Sequence, residues 1–253
     1  MTILPGMNVC DPEFRVSGLL ELPDNEVHLW RLDLNALAVV EDRWKEVLSV
    51  EEQMRAARFL APLARRHFVL TRALLRMLVG GYLNEQPTAV KLRFSAREKP
   101  GLDQPQAESK LEFNISHSGG VSLLAFTRAR EIGVDVELVR KDRDVDGIAR
   151  RFFSLAEQKQ LETIPAEEKY EAFFRCWTRK EAYIKACGEG LSLPLSQFDV
   201  SLAAGAQDAL LATRPDNRET ARWSLREVPA GAGHVGALCV AGHDWRLRAW
   251  TKT

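Results

Sequence analysis

Ile132-Gly133-Val134-Asp135-Val136-Glu137-Leu138 is the stretch on which the reading of this chain turns. Apolar and acidic residues alternate in it, so an extended backbone puts Val134 and Val136 on one face and Asp135 and Glu137 on the other. Such a strand needs a core on one side and positive charge on the other. Two carboxylates about 4 Å apart repel by roughly 4 kcal/mol at an effective dielectric near 20, which invites a metal, a proton or a basic neighbour. Gly133, with no Cβ beside the two acids, reads as room for a bulky phosphate to approach the backbone.

About forty residues on stands Trp177-Thr178-Arg179-Lys180-Glu181-Ala182-Tyr183-Ile184-Lys185, which adds a third carboxylate and two lysines. Together the two segments hold the inventory of a site for a divalent cation and a phosphate. On a solvated edge strand the acids would need no ligand. Glu181 with Lys185 would then be an i,i+4 surface pair worth about 0.2–0.5 kcal/mol. The aromatic company of Phe173, Phe174, Trp177 and Tyr183 points instead to a helix buried on a broad face, whose charges line a cleft.

Outward from this strand the pattern gives two similar runs. Before it come a strand over Val27–Leu34, helices over Ala36–Leu48, from the Ser49-Val50-Glu51-Glu52 capping box and over Phe68–Leu83, then strands over Val90–Ser95, Leu111–Ser116 and Val121–Thr127. The last two form a hairpin around Gly119-Gly120. After it come helices over Val145–Phe153, from Ser154 with Glu157, and over Glu167–Cys187. Strands over Phe198–Leu202, Ala209–Ala212, Ala221–Val228, His234–Ala241 and Trp245–Trp250 close the chain. Arg97–Lys110, with its prolines, reads as an ordered surface loop. Strand, helices, strands thus occurs twice. The expectation is an α+β fold of two similar lobes with pseudo-twofold symmetry, residues 1–130 and 131–253. Each is a small, mainly antiparallel sheet packed with helices.

Lys+Arg and Asp+Glu number 35 each, so the net charge gives no reason to expect nucleic acid or an anionic membrane as partner. Cys10, Cys176, Cys187 and Cys239 are scattered without zinc or disulfide spacing, which fits the reduced cytoplasm. A basic-then-apolar leader is missing, and no apolar run approaches the ~20 residues that span a bilayer. Positive charge is local, in Arg55, Arg58, Arg65, Arg66, His67, Arg72 and Arg76. Arg72 and Arg76 form a like-charged i,i+4 pair, costly by a few tenths of a kcal/mol unless an anion bridges them. With Lys99 they form a candidate phosphate-binding group.

Phe113-Asn114-Ile115-Ser116-His117-Ser118-Gly119-Gly120 ends a strand in hydroxyls, an imidazole and two glycines. Neighbouring strand residues face opposite ways, so Ser116 and His117 are not a nucleophile and its base, and no G-x-S-x-G elbow is present. A phosphate-binding strand end and a plain hairpin turn both suit the segment.

Taken in order, Phe-Asn-Ile-Ser-His-Ser at 113–118, Gly-Val-Asp-Val-Glu at 133–137 and Trp-Thr-Arg-Lys-Glu-Ala-Tyr-Ile-Lys at 177–185 resemble the motifs of the 4'-phosphopantetheinyl transferases of the Sfp type. Gly188-Glu189-Gly190-Leu191-Ser192-Leu193-Pro194, Arg58-Phe59, Thr71–Arg76, Phe94-Ser95 and Lys99-Pro100 extend the likeness over most of residues 48–200. The resemblance implies coenzyme A as donor, Mg²⁺ as cofactor, and as acceptor a serine of an apo acyl, peptidyl or aryl carrier protein or domain. The product would be 3',5'-ADP, the active site would lie in the cleft between the two lobes, and the enzyme would be a cytoplasmic monomer. It assigns Asp135, Glu137 and Glu181 to the metal and makes Glu181 the general base, with a metal-bound water or Glu137 as the alternative. Lys185 would help the leaving group. Arg72, Lys99, Ser116, His117, Lys180 and Lys185 would hold the coenzyme phosphates. Glu52 and His67-Phe68 depart from the family pattern, which leaves Arg55, Arg66 and His67 outside the matched set. The alternatives are another Mg²⁺-dependent phosphotransfer or phosphohydrolase enzyme on a nucleotide, and a non-catalytic carrier-binding module.

Overall fold

A computed structural model of the protein describes residues 20–37, 41–95, 99–188 and 192–252. Its first half runs β1 (Glu26–Asp33), α1 (Glu41–Glu46), α2 (Val50–Ala57), α3 (Pro62–Leu83), β2 (Leu92–Phe94), β3 (Pro100–Leu102), β4 (Leu111–Ser118) and β5 (Val121–Arg128). The second half runs β6 (Ile132–Leu138), α4 (Val145–Phe152), α5 (Leu155–Thr163), α6 (Ala166–Cys187), β7 (Phe198–Val200), β8 (Leu210–Thr213), β9 (Trp223–Glu227), β10 (His234–Ala241) and β11 (Arg246–Lys252). The class is α+β, with several small sheets packed with helices.

Local chemistry explains the boundaries. Ser49 with Glu52, and Ser154 with Glu157, form reciprocal capping boxes that open α2 and α5. α3 begins at Pro62, earlier than the apolar run from Phe68 suggests, because proline suits the first helical turn, where its missing N–H is not needed. Arg65, Arg66 and His67 therefore belong to that helix. α1 is shorter than the expected Ala36–Leu48, and residues 38–40 of that expectation lie outside the described ones. The supposed surface loop contains β3, which pairs with β2, and a 3₁₀ turn at Gln106–Ser109. Gly119 and Gly120, at φ 56° and 86°, make the left-handed turn between β4 and β5.

Four strands in the order β11-β1-β5-β4 make one sheet and three in the order β6-β10-β9 make another. The second is antiparallel throughout, whereas β1 and β11 in the first are parallel. β11 thus returns from the end of the chain to the sheet begun by β1, across the division at residues 130 and 131. Each sheet carries one long helix of 22 residues, α3 or α6. Leu70, Leu74, Leu78 and Tyr82 of α3 pack on Trp30, Leu32 and Phe126 of the first sheet. Phe173, Ile184 and Tyr183 of α6 pack among Leu225, Ala237 and Cys239 of the second. A third core joins the two sheets, with Val27, Leu29, Leu123 and Ala125 from one and Val134, Val136, Leu238 and Val240 from the other. The valines of the acid-bearing strand face this shared core.

Among the described residues, Cys176, Cys187 and Cys239 form no disulfide, and no helix is long and apolar enough to cross a membrane. Cys10 lies outside the described residues.

Candidate active site

The site lies where β4 of the first sheet runs beside β6 of the second, with α6 across the second sheet. Asp135 is buried, at 3% exposure. Its Oδ1 accepts from Lys185 Nζ at 2.6 Å and from Ser116 Oγ at 2.7 Å. Lys185 gives its other protons to Ser116 Oγ at 3.2 Å and the Val134 carbonyl at 3.3 Å, so all three are in use. Residues 116, 135 and 185, on three separate elements, converge on one point. Asp135 Oδ2 is buried with no hydrogen-bond partner.

The other two acids stand close enough to feel that charge. Burial pushes the Glu181 carboxyl up to about 7; Asp135 and Glu137 add to the rise and Lys185 opposes it. Burial also raises Glu137, against a 2.8 Å hydrogen bond from Ser118 Oγ. Among the described residues no three acids, imidazoles or thiols already surround a common point. Even so, three carboxylates in a half-buried cleft, one oxygen of them unpartnered, form a hard-oxygen donor set short of positive charge. That is the set Mg²⁺ prefers.

His117 faces the opposite side of β4 from Ser116, toward α3. The residue is exposed, yet partial burial lowers its pKa below 6.5, and the positive charges of His67, Lys185 and Arg72 add to that. Arg72 lies between the rings of Phe68, at 5.6 Å, and Phe94, at 5.1 Å. These three, with Arg55, Arg58, Phe59 and Met54, line a cleft of about 580 Å³ between α2, α3 and β2, and Glu51 and Glu52 complete its wall. The aromatic walls went unread in the sequence. The signal available was Phe94, which falls within the Phe94-Ser95 match, and Phe68, which departs from the family pattern.

Several expectations need correction. Lys180, assigned to a coenzyme phosphate, is fully buried and points into the second core. Its Nζ donates to the Leu195 and Phe198 carbonyls, both at 2.7 Å, and pairs with Glu157 Oε1 at 2.8 Å. Lys99 Nζ donates to the carbonyls of Lys185 at 2.7 Å and Ile132 at 3.2 Å, so it ties α6 to β6. The anion bridging the α3 arginines is the protein's own Glu52: Arg76 Nε lies 2.6 Å from it and Arg72 Nε 3.9 Å. Arg76 is thereby structural, and Arg66 donates to the Leu37 carbonyl. Gly133 makes room for a helix and not for a phosphate, since a Cβ there would lie 2.1 Å from the Ala182 carbonyl oxygen. Gly119 and Gly120 serve the hairpin, pressed by Leu138 and Asn35. Residues 189–191 of the Gly188–Pro194 match lie outside the described ones.

Fold and site together define an α+β protein with an acid- and lysine-bearing centre at the seam of two sheets, beside an arginine- and aromatic-lined cleft. Residues 131–239 match the model of the 4'-phosphopantetheinyl transferase superfamily, and residues 40–128 that of the 4'-phosphopantetheinyl transferase N-terminal region. The chain is 40% identical to the 4'-phosphopantetheinyl transferase HetI of Nostoc sp., over 91% of this chain and 94% of the relative. It is 34% identical to the 4'-phosphopantetheinyl transferase Sfp of Bacillus subtilis, over 78% of this chain and 89% of that one. The solved structure of Thermotoga maritima holo-(acyl-carrier-protein) synthase overlays with a TM-score of 0.34 at 20% identity, covering 44% of this chain and 62% of that one. The chain belongs to the 4'-phosphopantetheinyl transferase family.

Proposed function

We propose that the enzyme moves the 4'-phosphopantetheine group of coenzyme A to a serine of an apo acyl, peptidyl or aryl carrier domain and releases 3',5'-ADP, as a cytoplasmic monomer. The observation that carries this reading is the convergence of Lys185, Ser116 and Asp135 beside Glu137 and Glu181. In the reaction the serine oxygen attacks the phosphorus that bears pantetheine, the bond to the bridging oxygen breaks, and 3',5'-ADP departs. Glu181 accepts the serine proton. Lys185 stabilises the charge growing on the leaving phosphate, a large part of what a protein contributes to phosphoryl transfer. Its bonds to Ser116 and Val134 are long enough to be exchanged for phosphate oxygens without releasing Asp135.

Asp135, Glu137 and Glu181 would hold Mg²⁺, which when bound supplies positive charge to the pyrophosphate oxygens. The orphan Oδ2 of Asp135 supports that assignment. Ser116 and His117 lie on opposite faces of β4 and would contact different phosphates, His117 and Arg72 those nearer the aromatic cleft. Phe68 and Phe94 offer stacking faces for an adenine, and the cleft arginines offer partners for its phosphate. The acid centre at the seam and the aromatic cleft beside it come from one chain, which favours a monomer.

The test is to incubate the protein with coenzyme A, Mg²⁺ and an apo carrier domain and weigh the carrier. A phosphopantetheine-sized gain is expected, and its absence across acyl, peptidyl and aryl carriers would sink the reading. Asp135→Ala is expected to lose at least a hundredfold in rate while remaining folded by circular dichroism, and Lys185→Ala to be severely impaired. Full activity in either removes that residue from the centre.

A further inference from the structure

The seam between the two sheets is not closed by strand pairing, since β4 and β6 belong to different sheets. Side chains close it instead. On a strand every second residue shares a face, and β4 presents Asn114, Ser116 and Ser118 toward β6. Asn114 Oδ1 accepts the Val134 N–H at 2.9 Å. Ser116 Oγ donates to Asp135 Oδ1 at 2.7 Å. Ser118 Oγ accepts the Leu138 N–H at 3.2 Å and donates to Glu137 Oε2 at 2.8 Å.

A serine hydroxyl has a single proton, and the bond from Leu138 decides where it goes. The backbone of β6 fixes that N–H, which occupies a lone pair of Ser118 Oγ and leaves the proton aimed at the carboxylate. One backbone donor thereby sets the direction of the side-chain hydrogen bond to Glu137. We propose that Ser118 is a positioning residue for Glu137: it holds Oε2 and so fixes the plane in which the carboxylate offers Oε1 to a divalent cation. This inference rests on the metal reading given above. Neighbours of metal-binding carboxylates act in this way, and their loss costs about 10–100-fold in metal affinity or activity.

Calorimetric titration of Mn²⁺ into the protein with coenzyme A and no carrier reads this without turnover. Ser118→Ala is expected to weaken Mn²⁺ binding about tenfold or more, and Ser118→Thr, which keeps the hydroxyl, to stay within about threefold of the parent. Asn114→Ala breaks a seam bond that touches no carboxylate. It is expected to lower the melting temperature while leaving Mn²⁺ affinity within about threefold. Parent-like Mn²⁺ binding in Ser118→Ala, alongside weakened binding in Asp135→Ala, overturns the role of Ser118 alone. An equal loss of Mn²⁺ affinity in Asn114→Ala reduces Ser118 to a seam bond and also overturns it. Parent-like binding in Asp135→Ala defeats the metal reading and this inference together.

Discussion

Lys180→Met separates two accounts of the lysine one residue before Glu181. In the structure this side chain is fully buried, and its three protons go to Leu195 O, Phe198 O and Glu157 Oε1 at 2.7, 2.7 and 2.8 Å. Methionine fills the same space without charge. Glu157, 2% exposed, would keep the Val200 and Ser154 N–H groups but lose its ion-pair partner, and the two carbonyls would lose a charged donor. Removing one partner of a buried pair costs about 3–5 kcal/mol. About 4 kcal/mol is a large part of the 5–15 kcal/mol typical of a folded protein.

Urea unfolding followed by tryptophan fluorescence measures the loss directly. With a denaturant slope of about 3 kcal/mol per molar, the midpoint falls by about 1.3 M. Adding Glu157→Gln should recover about 1 kcal/mol, because the amide oxygen keeps the capping-box bond from Ser154 N–H and the orphaned charge disappears, which outweighs the lost acceptor for Val200 N–H. At a temperature where Lys180→Met is folded, its KM for coenzyme A should stay within about threefold of the parent. A variant that unfolds at the parent's midpoint yet shows a KM raised tenfold or more would refute the argument and restore Lys180 as a phosphate ligand.

Two further outcomes follow from the packing. Gly133→Ala puts a methyl 2.1 Å from Ala182 O and 2.4 Å from Ala186 N, both backbone atoms of α6. The helix must retreat by about 1 Å, which carries Glu181 and Lys185 away from Asp135 and is expected to cost about a hundredfold in transfer rate; a parent-like rate would contradict the close crossing. His28, buried at 3% exposure, receives a hydrogen bond at Nδ1 from Tyr82, whose own oxygen accepts from Trp30 Nε1, so Nε2 carries the ring proton toward Glu26. Burial lowers its pKa below 6.5 despite Glu26. The folded state thus keeps it neutral while the unfolded chain takes up a proton near 6.5. Its contribution to stability is complete above pH 6.5 and falls away as pH drops toward the folded value. Melting curves of His28→Gln should show a shallower decline below pH 6.5 than the parent, and identical slopes would dismiss the idea.

What could be read from the chain and what could not divides along physical lines. β6 was legible to its end residues because period-two alternation is a local property of the backbone, and the two serine caps because each needs only four residues. Lys180 was misread although the chain carried the correction. At about 100° per residue, Glu181 and Lys185 lie about 40° apart around α6, whereas Lys180 and Lys185 lie about 140° apart. Of the two lysines, only Lys185 can share a face with Glu181. The pairing of β11 with β1 had no local signal at all, since alternation says that a strand exists and not which strand it joins. Glu52 shows the same limit: the like-charged Arg72–Arg76 pair announced an anion, but a buried acid from α2 and a bound phosphate answer that signal equally well.

Lys99 draws the remaining threads together. Its ammonium straddles the crossing at Gly133, bonded to the carbonyl of Ile132 just before the glycine and to that of Lys185 in the last turn of α6. A cation at this end of a helix also meets the negative pole of its dipole. Burial lowers the pKa of Lys99, and the nearby negative charge of Glu112 opposes that. A half-buried lysine bonded to two backbone carbonyls holds β6 and α6 at the spacing that Gly133 permits. It cannot give the same protons to a phosphate while doing so. The strand that carries Asp135 and the helix that carries Glu181 and Lys185 are thus locked by a glycine that lets them approach and a lysine that keeps them there.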